Sequence, residues 1–319
     1  MTPRVVVVGA GPAGLAAAAE VAQAGASVHV FDERSQPGGQ LRYRAQPVPA
    51  EHGAPAEPPG ALAERLIAAA RAAGVKIHAG ALVAGCFAGN ELLAIEGERA
   101  SRITPDAIIV ATGSTDLPYP FAGAAFPGVF SGRGLQILIN QYCVLPGRRF
   151  AIVGGGADAE ELAVDVMLAG GEVVWSGIAP AHFLRAMGAD GVRGFVVGQE
   201  QHAVDVIAIA VGRQPDPALA TMAGVPLAFS IALGGQVPVV DNRMQSPVPG
   251  LFVAGDAAGV GSIAVAMAEG RLAGTAAAAS LGLASGVDVA AMRARGGPEL
   301  AWRLATRSAL QPVAVQPYA

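Results

Sequence analysis

Two short glycine-containing motifs, one near each end of the chain, hold the residues best suited to chemistry. The first has the pattern G-x-G-x-x-G, follows the apolar run 5–8 and consists of Gly9, Ala10, Gly11, Pro12, Ala13 and Gly14. Such glycines permit a tight turn, bring the backbone close to a pyrophosphate and let the next helix pack on the strand. Since the free N–H groups of that helix then face the phosphates, the turn predicts a dinucleotide site.

An acidic residue at the end of the next strand would complete the adenosine end of this site. Asp32 occupies that position and is expected to bind the ribose, with its neighbour Glu33 as the alternative. Gly38, Gly39 and Gln40 follow soon after, and a loop there could run along the diphosphate. The competing interpretations are a turn without a ligand and a solvated carboxylate.

The second motif places a carboxylate after another apolar strand. Gly255 and Asp256 follow the run 251–254, and a helix is expected to begin near Ser262 and Ile263. The carboxylate could bind a ribityl hydroxyl, and the helix N-terminus could face the flavin pyrimidine, which gains negative charge on reduction. Helix capping is a competing but compatible interpretation. The motifs together predict bound FAD, and a turn between them adds Ala111, Thr112 and Gly113.

A further glycine turn in the middle of the chain fits G-x-G-x-x-A and predicts a domain for a nicotinamide nucleotide. It consists of Gly154, Gly155, Gly156, Ala157, Asp158 and Ala159. The acid expected for NAD, or the arginine for NADP, would fall at 175–177, where the residues are Trp, Ser and Gly. The strand at 204–211 also comes early for a complete domain. A working nucleotide site and a retained fold without one are both open.

Strands and helices alternate around both turns, which predicts an α/β protein with two Rossmann-like dinucleotide-binding domains. The second domain is inserted in the first. We expect an FAD-binding domain at 1–117 plus 236–290 and a shortened NAD(P)-binding-like domain at 118–235. A C-terminal tail at 291–319 shows no obvious element, and its arginines are interpreted as a solvated face.

Composition excludes several classes of protein. The chain has 319 residues and a net charge of −4, which gives no reason to expect nucleic acid. Its longest uncharged apolar stretch, 272–287, is too short for a bilayer, so no integral membrane segment is expected. Cys86 and Cys143 form no C-x-x-C motif and cannot hold an iron–sulfur cluster. No spacing indicates a metal site, and we expect a cytoplasmic protein.

The order of the motifs resembles the two-dinucleotide-domain flavoproteins that include thioredoxin reductase. The shared residues are GAGPAG at 9–14, PGGQ at 37–40, ATG at 111–113, GGG at 154–156 and GD at 255–256. The redox dithiol of thioredoxin reductase is missing, so the resemblance does not carry that activity over.

A closer resemblance is to the α subunits of heteromeric amine and imino-acid dehydrogenases, of the opine oxidase, D-hydroxyproline dehydrogenase and hydrogen cyanide synthase type. It rests on SGRGLQ at 131–136, VLPGRR at 144–149, GDAAGVG at 255–261 and EGRLAG at 269–274. The resemblance implies FAD, or another adenine nucleotide such as ATP or NAD, in the first site and FMN at the interface between subunits. It also implies two partners, a flavin-containing β subunit that holds the substrate and a small iron–sulfur subunit.

The leading hypothesis is an FAD-binding electron-transfer subunit of a dehydrogenase for a secondary amine or imino acid such as D-hydroxyproline. One alternative is a self-contained NAD(P)H-dependent flavin reductase, which the middle glycine turn favours. The other is a non-redox assembly subunit that holds a nucleotide as a structural ligand. No catalytic residue is assigned in this chain, because the resemblance puts the substrate site on a partner.

Overall fold

The computed structural model describes residues 2–49, 55–283 and 288–313. The first elements are β1 (Arg4–Val8), α1 (Pro12–Gln23), β2 (Ser27–Asp32), α2 (Pro59–Ala72), β3 (Lys76–Ala79), β4 (Ala81–Phe87), β5 (Glu91–Glu96), β6 (Arg99–Ile103), β7 (Ala107–Val110), β8 (Ser114–Asp116), β9 (Val129–Ser131) and α3 (Gly132–Gln136). A π-helical turn, Ile137–Gln141, continues α3.

The remaining elements are β10 (Arg149–Gly154), α4 (Ala157–Leu168), β11 (Glu172–Gly177), β12 (Leu184–Met187), β13 (Gly194–Val197), β14 (Glu200–His202), β15 (Val206–Ala210), β16 (Arg213–Pro215), α5 (Ala218–Met222), β17 (Leu227–Ser230), β18 (Gly235–Pro238), β19 (Leu251–Val253), α6 (Ile263–Ser280) and α7 (Val289–Ser308). Short 3₁₀ turns lie at Gly39–Arg42, Ala181–Phe183, Ile231–Leu233 and Gly255–Ala258. None of the helices that the structure describes is both long and apolar enough to cross a membrane.

The chain forms two compact units, and the second interrupts the first in sequence. The first unit comprises Met1–Leu41, Pro47–Ser114 and Gln214–Ala319, and the second comprises Arg42–Gln46 and Thr115–Arg213. Each contains a parallel sheet with helices, which confirms the predicted α/β class with two Rossmann-like units. The first unit resumes before the expected position 236, because Leu219 and Ala220 of α5 belong to its core.

A five-stranded parallel sheet of order β19–β7–β1–β2–β3 lies at the centre of the first unit. Every residue of β7 and of the edge strand β19 is buried, as expected for parallel strands that are covered on both faces. The loops after β1, β7 and β19 therefore leave the sheet at one edge, the carboxyl edge. That edge is where ligands bind in sheets of this kind.

Helices α1 and α6 pack closely through residues with small side chains. A Cβ on Gly270 would lie 2.1 Å from the Ala13 carbonyl oxygen, and one on Gly274 would lie 2.6 Å from that of Ala17. The contacts advance by four residues along both helices, so α1 and α6 run parallel. Their N-termini consequently point the same way. Measured from the contact between Gly270 and Ala13, α6 extends about two turns further in the N-terminal direction than α1 does.

Two further parts of the first unit lie outside its parallel sheet. Residues 81–103 form the antiparallel sheet β4–β5–β6. The expected tail at 291–319 contains most of α7, whose start is capped by the Asp288 carboxylate accepting the Ala291 N–H at 2.9 Å. Leu300 and Leu304 of α7 are buried in the core of the first unit, so this helix is an integral part of it.

The second unit contains a four-stranded parallel sheet of order β11–β10–β15–β9 and an antiparallel sheet β12–β13–β14. Helix α4 packs on the parallel sheet through Leu162 and Val166. The glycine turn after β10 leads into α4 and repeats the strand, turn and helix order of the first unit on a smaller scale.

Candidate functional site

The three glycines of the first turn are required for different reasons. A Cβ on Gly14 would lie 1.8 Å from the Gly9 carbonyl oxygen, and one on Gly9 would lie 2.3 Å from that of Ala111. Both positions therefore need glycine for packing. A Cβ on Gly11 would meet only the Gly39 Cα at 3.9 Å, so the fold itself leaves room there. Glycine at this position fits a backbone that a pyrophosphate approaches closely.

The start of α1 has the character of an anion site. Gly11 is the N-cap, Pro12 is the first helical residue, and the first turn contains no acidic residue. No side chain among the described residues caps this helix end. Its N–H groups and the positive end of the helix dipole thus suit the phosphates of a dinucleotide, and the residues present fit FAD at this end.

The predicted ribose-binding carboxylate lies against this turn. Asp32 accepts the Ala10 N–H at 2.6 Å through Oδ2 and the Arg34 N–H at 2.8 Å through Oδ1. A carboxylate can accept further hydrogen bonds, so ribose hydroxyls remain compatible with these contacts. Glu33 is exposed and lies one residue beyond the end of β2, which favours Asp32.

The loop after β2 also reaches the turn. Gly38 donates its N–H to the Ala10 carbonyl at 2.8 Å. Gly39 has φ +56°, and a Cβ on it would lie 2.8 Å from the Gly11 Cα. Gln40 follows in the 3₁₀ turn. The structure thus brings the predicted residues 38–40 beside the residues that would hold the pyrophosphate.

The turn after β7 meets the loop after β19. The Ala111 N–H bonds to the Val8 carbonyl at 2.8 Å, Thr112 Oγ1 donates to the Asp216 carbonyl at 3.0 Å, and Gly113 has φ +89°. One residue later, Ser114 Oγ lies 3.0 Å from Asp256 Oδ2. These contacts join two of the loops at the carboxyl edge.

Asp256 lies at this edge and is buried, with only 6% of its surface exposed. Its Oδ1 accepts the Gly261 N–H at 3.2 Å, so one carboxylate links the loop after β19 to the start of α6. Gly255 has φ +70°, and a Cβ on it would lie 2.6 Å from the Ala13 Cβ. The two predicted motifs, far apart in sequence, are therefore neighbours.

The start of α6 is capped by two side chains. Ser262 Oγ accepts the Val265 N–H at 3.3 Å, and Ile263 beside it is buried. The Ser262 N–H and hydroxyl in turn donate to the Glu299 carboxylate on α7, at 3.2 and 2.7 Å. Capping by Ser262 matches the interpretation that the sequence left open, whereas the contact with Glu299 was not foreseen.

A buried ionic cluster beneath this loop also escaped the sequence analysis. Glu269 Oε1 lies 2.8 Å from Arg303 Nε and 2.8 Å from Arg307 Nη2. The interpretation of these arginines as solvated is wrong, because Arg303 and Arg307 are only 1% and 3% exposed. Burial would raise the pKa of Glu269, but the charges of Arg307 and Arg303 outweigh it and hold that pKa below its usual range.

The same arginines hold the backbone of the loop after β19. Arg303 donates to the Val260 carbonyl at 2.7 Å and to the Gly259 carbonyl at 2.5 Å. Arg307 donates to the Ala258 carbonyl. The sequence contains one indication of these buried arginines. Glu269 is a charged residue in an alanine-rich helix, and a buried charge requires a partner.

The middle glycine turn is built differently. A Cβ on Gly155 would lie 3.0 Å from the Ile178 side chain, which approaches the turn from the end of β11. The first turn of α4 carries Asp158 and Glu160, and Asp158 pairs with Arg213 at 3.1 Å. Carboxylates at this helix end interact favourably with its dipole, which the start of α1 leaves available for an anion.

Metal chemistry has no evident place in the part of the chain that the structure describes. No group of three or more His, Cys, Asp or Glu residues there could hold a metal ion. Cys86 is buried, and burial raises the pKa of its thiol to about 11.

Comparison with known proteins gives a consistent result. The profile of the pyridine nucleotide-disulphide oxidoreductase family matches residues 3–192 and 184–270. An opine oxidase subunit of Rhizobium meliloti (strain 1021) is 27% identical over 330 residues, which covers 87% of this chain and 71% of that protein. The corresponding opine oxidase subunit of Agrobacterium tumefaciens (strain Ach5) is 28% identical, with 88% and 66% covered.

The solved L-proline dehydrogenase from P. horikoshii has the same fold, with a TM-score of 0.79 and 23% identity. It matches 100% of this chain, and the chain covers 61% of that protein. The chain thus spans roughly two thirds of the length of these relatives. The resemblance to the α subunits of amine and imino-acid dehydrogenases is confirmed.

Proposed function

Since the chain belongs to the pyridine nucleotide-disulphide oxidoreductase family, and is thereby a flavin-dependent oxidoreductase, we propose that it is the FAD-binding electron-transfer subunit of a heteromeric dehydrogenase. The substrate is a secondary amine or imino acid such as D-hydroxyproline, bound by a flavin-containing β subunit. The observation that carries this proposal is the meeting of Gly11, Asp32 and Asp256 at one sheet edge. Relatives named as subunits support the partner.

Each group at that edge has a separate part in holding FAD. The backbone at Gly11 and the start of α1 bind the pyrophosphate, and Asp32 orients the adenosine ribose. Asp256 and the start of α6 orient the other end of the cofactor. FAD, when bound, supplies the capacity to accept and release electrons. The protein contributes binding, orientation and electrostatics.

The second unit argues against a self-contained NAD(P)H reductase. The first turn of α4, where the pyrophosphate of NAD would bind, already carries Glu160 and the Asp158–Arg213 ion pair, and a Cβ on Gly155 would lie 3.0 Å from the Ile178 side chain. Neither an acid nor an arginine ends β11 to bind the second ribose. An electron source other than NAD(P)H is then needed, and a partner flavoprotein provides one.

Two finer parts of the proposal come from the resemblance, namely FMN at the interface between subunits and a further partner in the form of a small iron–sulfur protein. A cytoplasmic location is proposed on the composition of the chain. The free thiols Cys86 and Cys143 suit a reducing compartment. The glycine turn recognises only the part that ATP and NAD share with FAD, so either nucleotide could bind in its place. Held as a structural ligand, such a nucleotide would give the chain a non-redox assembly role.

Gentle purification of the tagged chain from its own cells tests the proposal. The product is characterised by its visible spectrum, intact mass and the identity of the extracted nucleotide. A yellow complex with FAD in this chain and a second flavoprotein chain would support the proposal. A solitary yellow protein that NADH or NADPH bleaches would make it a reductase. A colourless chain carrying ATP or NAD would give it the assembly role.

A further inference from the structure

We propose that Glu299 on α7 lowers the reduction potential of FAD in the first unit, by placing a carboxylate against the start of α6. The inference rests on the proposed FAD site and assigns a positioning and electrostatic role to a residue outside every recognised motif. Glu299 reaches the site from the segment that the sequence predicted to be a tail without structure.

The position of Glu299 is fixed by several contacts. Its two carboxylate oxygens accept the N–H and the hydroxyl of Ser262, at 3.2 and 2.7 Å. A Cβ on Gly261 would lie 3.4 Å from Glu299 Oε1 and 2.8 Å from Arg303 Nη1. One turn further along α7, Arg303 is held by Glu269. The buried cluster therefore anchors the helix that presents the Glu299 charge.

Among the side chains that the structure describes in this network, the printed contacts join three carboxylates and two cations. The carboxylates are Asp256, Glu269 and Glu299, and the cations are Arg303 and Arg307. Reduction of a flavin beside this network would add negative charge to its pyrimidine end. The bare N-terminus of α6 would favour that change, and Glu299 offsets the dipole there.

The direction of the two helices indicates which end of FAD is affected. α1 and α6 run parallel, and α6 begins about two turns beyond α1. A cofactor whose pyrophosphate lies at Gly11 would extend along the edge towards Asp256 and Ser262. Glu299 therefore acts on the redox-active end of FAD and not on the adenosine end.

The test uses the full chain loaded with FAD and compares wild type with Glu299→Gln and Glu299→Asp. The matched control is Glu98→Gln, which removes an exposed carboxylate elsewhere in the first unit. The midpoint potential is measured by equilibration with a reference dye. We expect Glu299→Gln to shift the oxidised-to-reduced equilibrium about tenfold towards the reduced form, which is about 30 mV upward for two electrons. Glu299→Asp should stay close to wild type.

An unchanged potential in Glu299→Gln, or an equal shift in Glu98→Gln, would overturn the inference while leaving the FAD site intact. Failure of the wild-type chain to bind FAD would overturn the proposed function itself, and this inference with it. Thermal midpoints of all the proteins show whether each variant folds. If Glu299→Gln unfolds, Glu299→Ser takes its place with the same expected shift, and an unchanged potential there would equally overturn the inference.

Discussion

At the scale of single residues, the glycines of the first turn differ in what requires them, because packing requires Gly9 and Gly14 whereas only ligand binding would require Gly11. Gly11→Ala should fold normally, because its Cβ would meet only the Gly39 Cα at 3.9 Å. It should nevertheless lose at least about tenfold in FAD affinity, since the added methyl group faces the pyrophosphate. Fluorescence titration of FAD and thermal unfolding check both parts.

The control for this variant is Gly60→Ala in α2, where a Cβ would meet nothing within 4 Å. It should keep the affinity and gain roughly 0.5–1 kcal/mol of stability, because alanine is the better helix former. Equal affinities of the Gly11 and Gly60 variants would show that no pyrophosphate approaches Gly11.

The two cysteines should differ sharply in reactivity. Cys143 is exposed, whereas Cys86 is buried and its pKa is raised to about 11, so little of it is thiolate at neutral pH. One thiol per native chain should react quickly with a disulfide reagent at about pH 8, and Cys143→Ser should remove that fast phase. A fast phase that instead disappears in Cys86→Ser would contradict the structure.

Residue types and local spacing made much of the first site predictable. The turn at 9–14, the carboxylates Asp32 and Asp256 and the turn at 111–113 all follow apolar strands, so each could be assigned to a strand end. These residues lie close together because the parallel strands that precede them end at the same edge of the sheet. That these residues contact FAD remains a prediction.

At the scale of elements, α7 is the part that sequence reasoning missed. Its arginines resemble a solvated face, and Gly297 and Pro298 interrupt the helical pattern. Burial of Arg303 and Arg307 depends on Glu269, which lies 34 and 38 residues earlier in the chain. Local periodicity cannot reveal a pairing between two helices, so the role of α7 emerged only with the tertiary structure.

The buried cluster should dominate the stability of this helix pair. Glu269→Gln leaves two buried arginines without their counter-charge, which should cost about 3–5 kcal/mol of unfolding free energy. Arg65→Gln is the control, because its ion pair with Glu57 is largely exposed and should contribute less than about 1 kcal/mol. Urea unfolding measures both, and similar losses would argue that the cluster is not buried in solution.

At the scale of the whole molecule, the two units should respond to acid in opposite ways. The pKa of Glu269 is lowered on folding, so its stabilisation of the first unit is present above the unfolded pKa and is lost as pH falls through the folded value. The pKa of Asp165 in the second unit is raised, chiefly by burial and against hydrogen bonds from Gln136 and Asn140. Ionised Asp165 therefore costs stability as pH rises.

Asp165→Asn should remove that cost while keeping the shape of the side chain. Oδ2 of Asp165 accepts both amide groups, and an amide oxygen can replace it. We expect the Tm of Asp165→Asn relative to wild type to rise as pH increases from about 4 to 7, because only wild type then acquires the buried charge. Calorimetry across pH measures this, and a pH-independent difference would rule out the ionisation argument.

The position of β19 beside β7 has a consequence for synthesis on the ribosome. Strands β1, β2, β3 and β7 emerge early, but their sheet lacks β19 until residue 253 has been made. At about 5–20 residues per second, the unpaired side of β7 stays open for roughly 7–30 s, and the face of α1 that receives α6 stays open slightly longer. The inserted unit, whose strands lie between residues 129 and 210, can complete its sheet within that interval. The unit that begins the chain is therefore the last to finish folding.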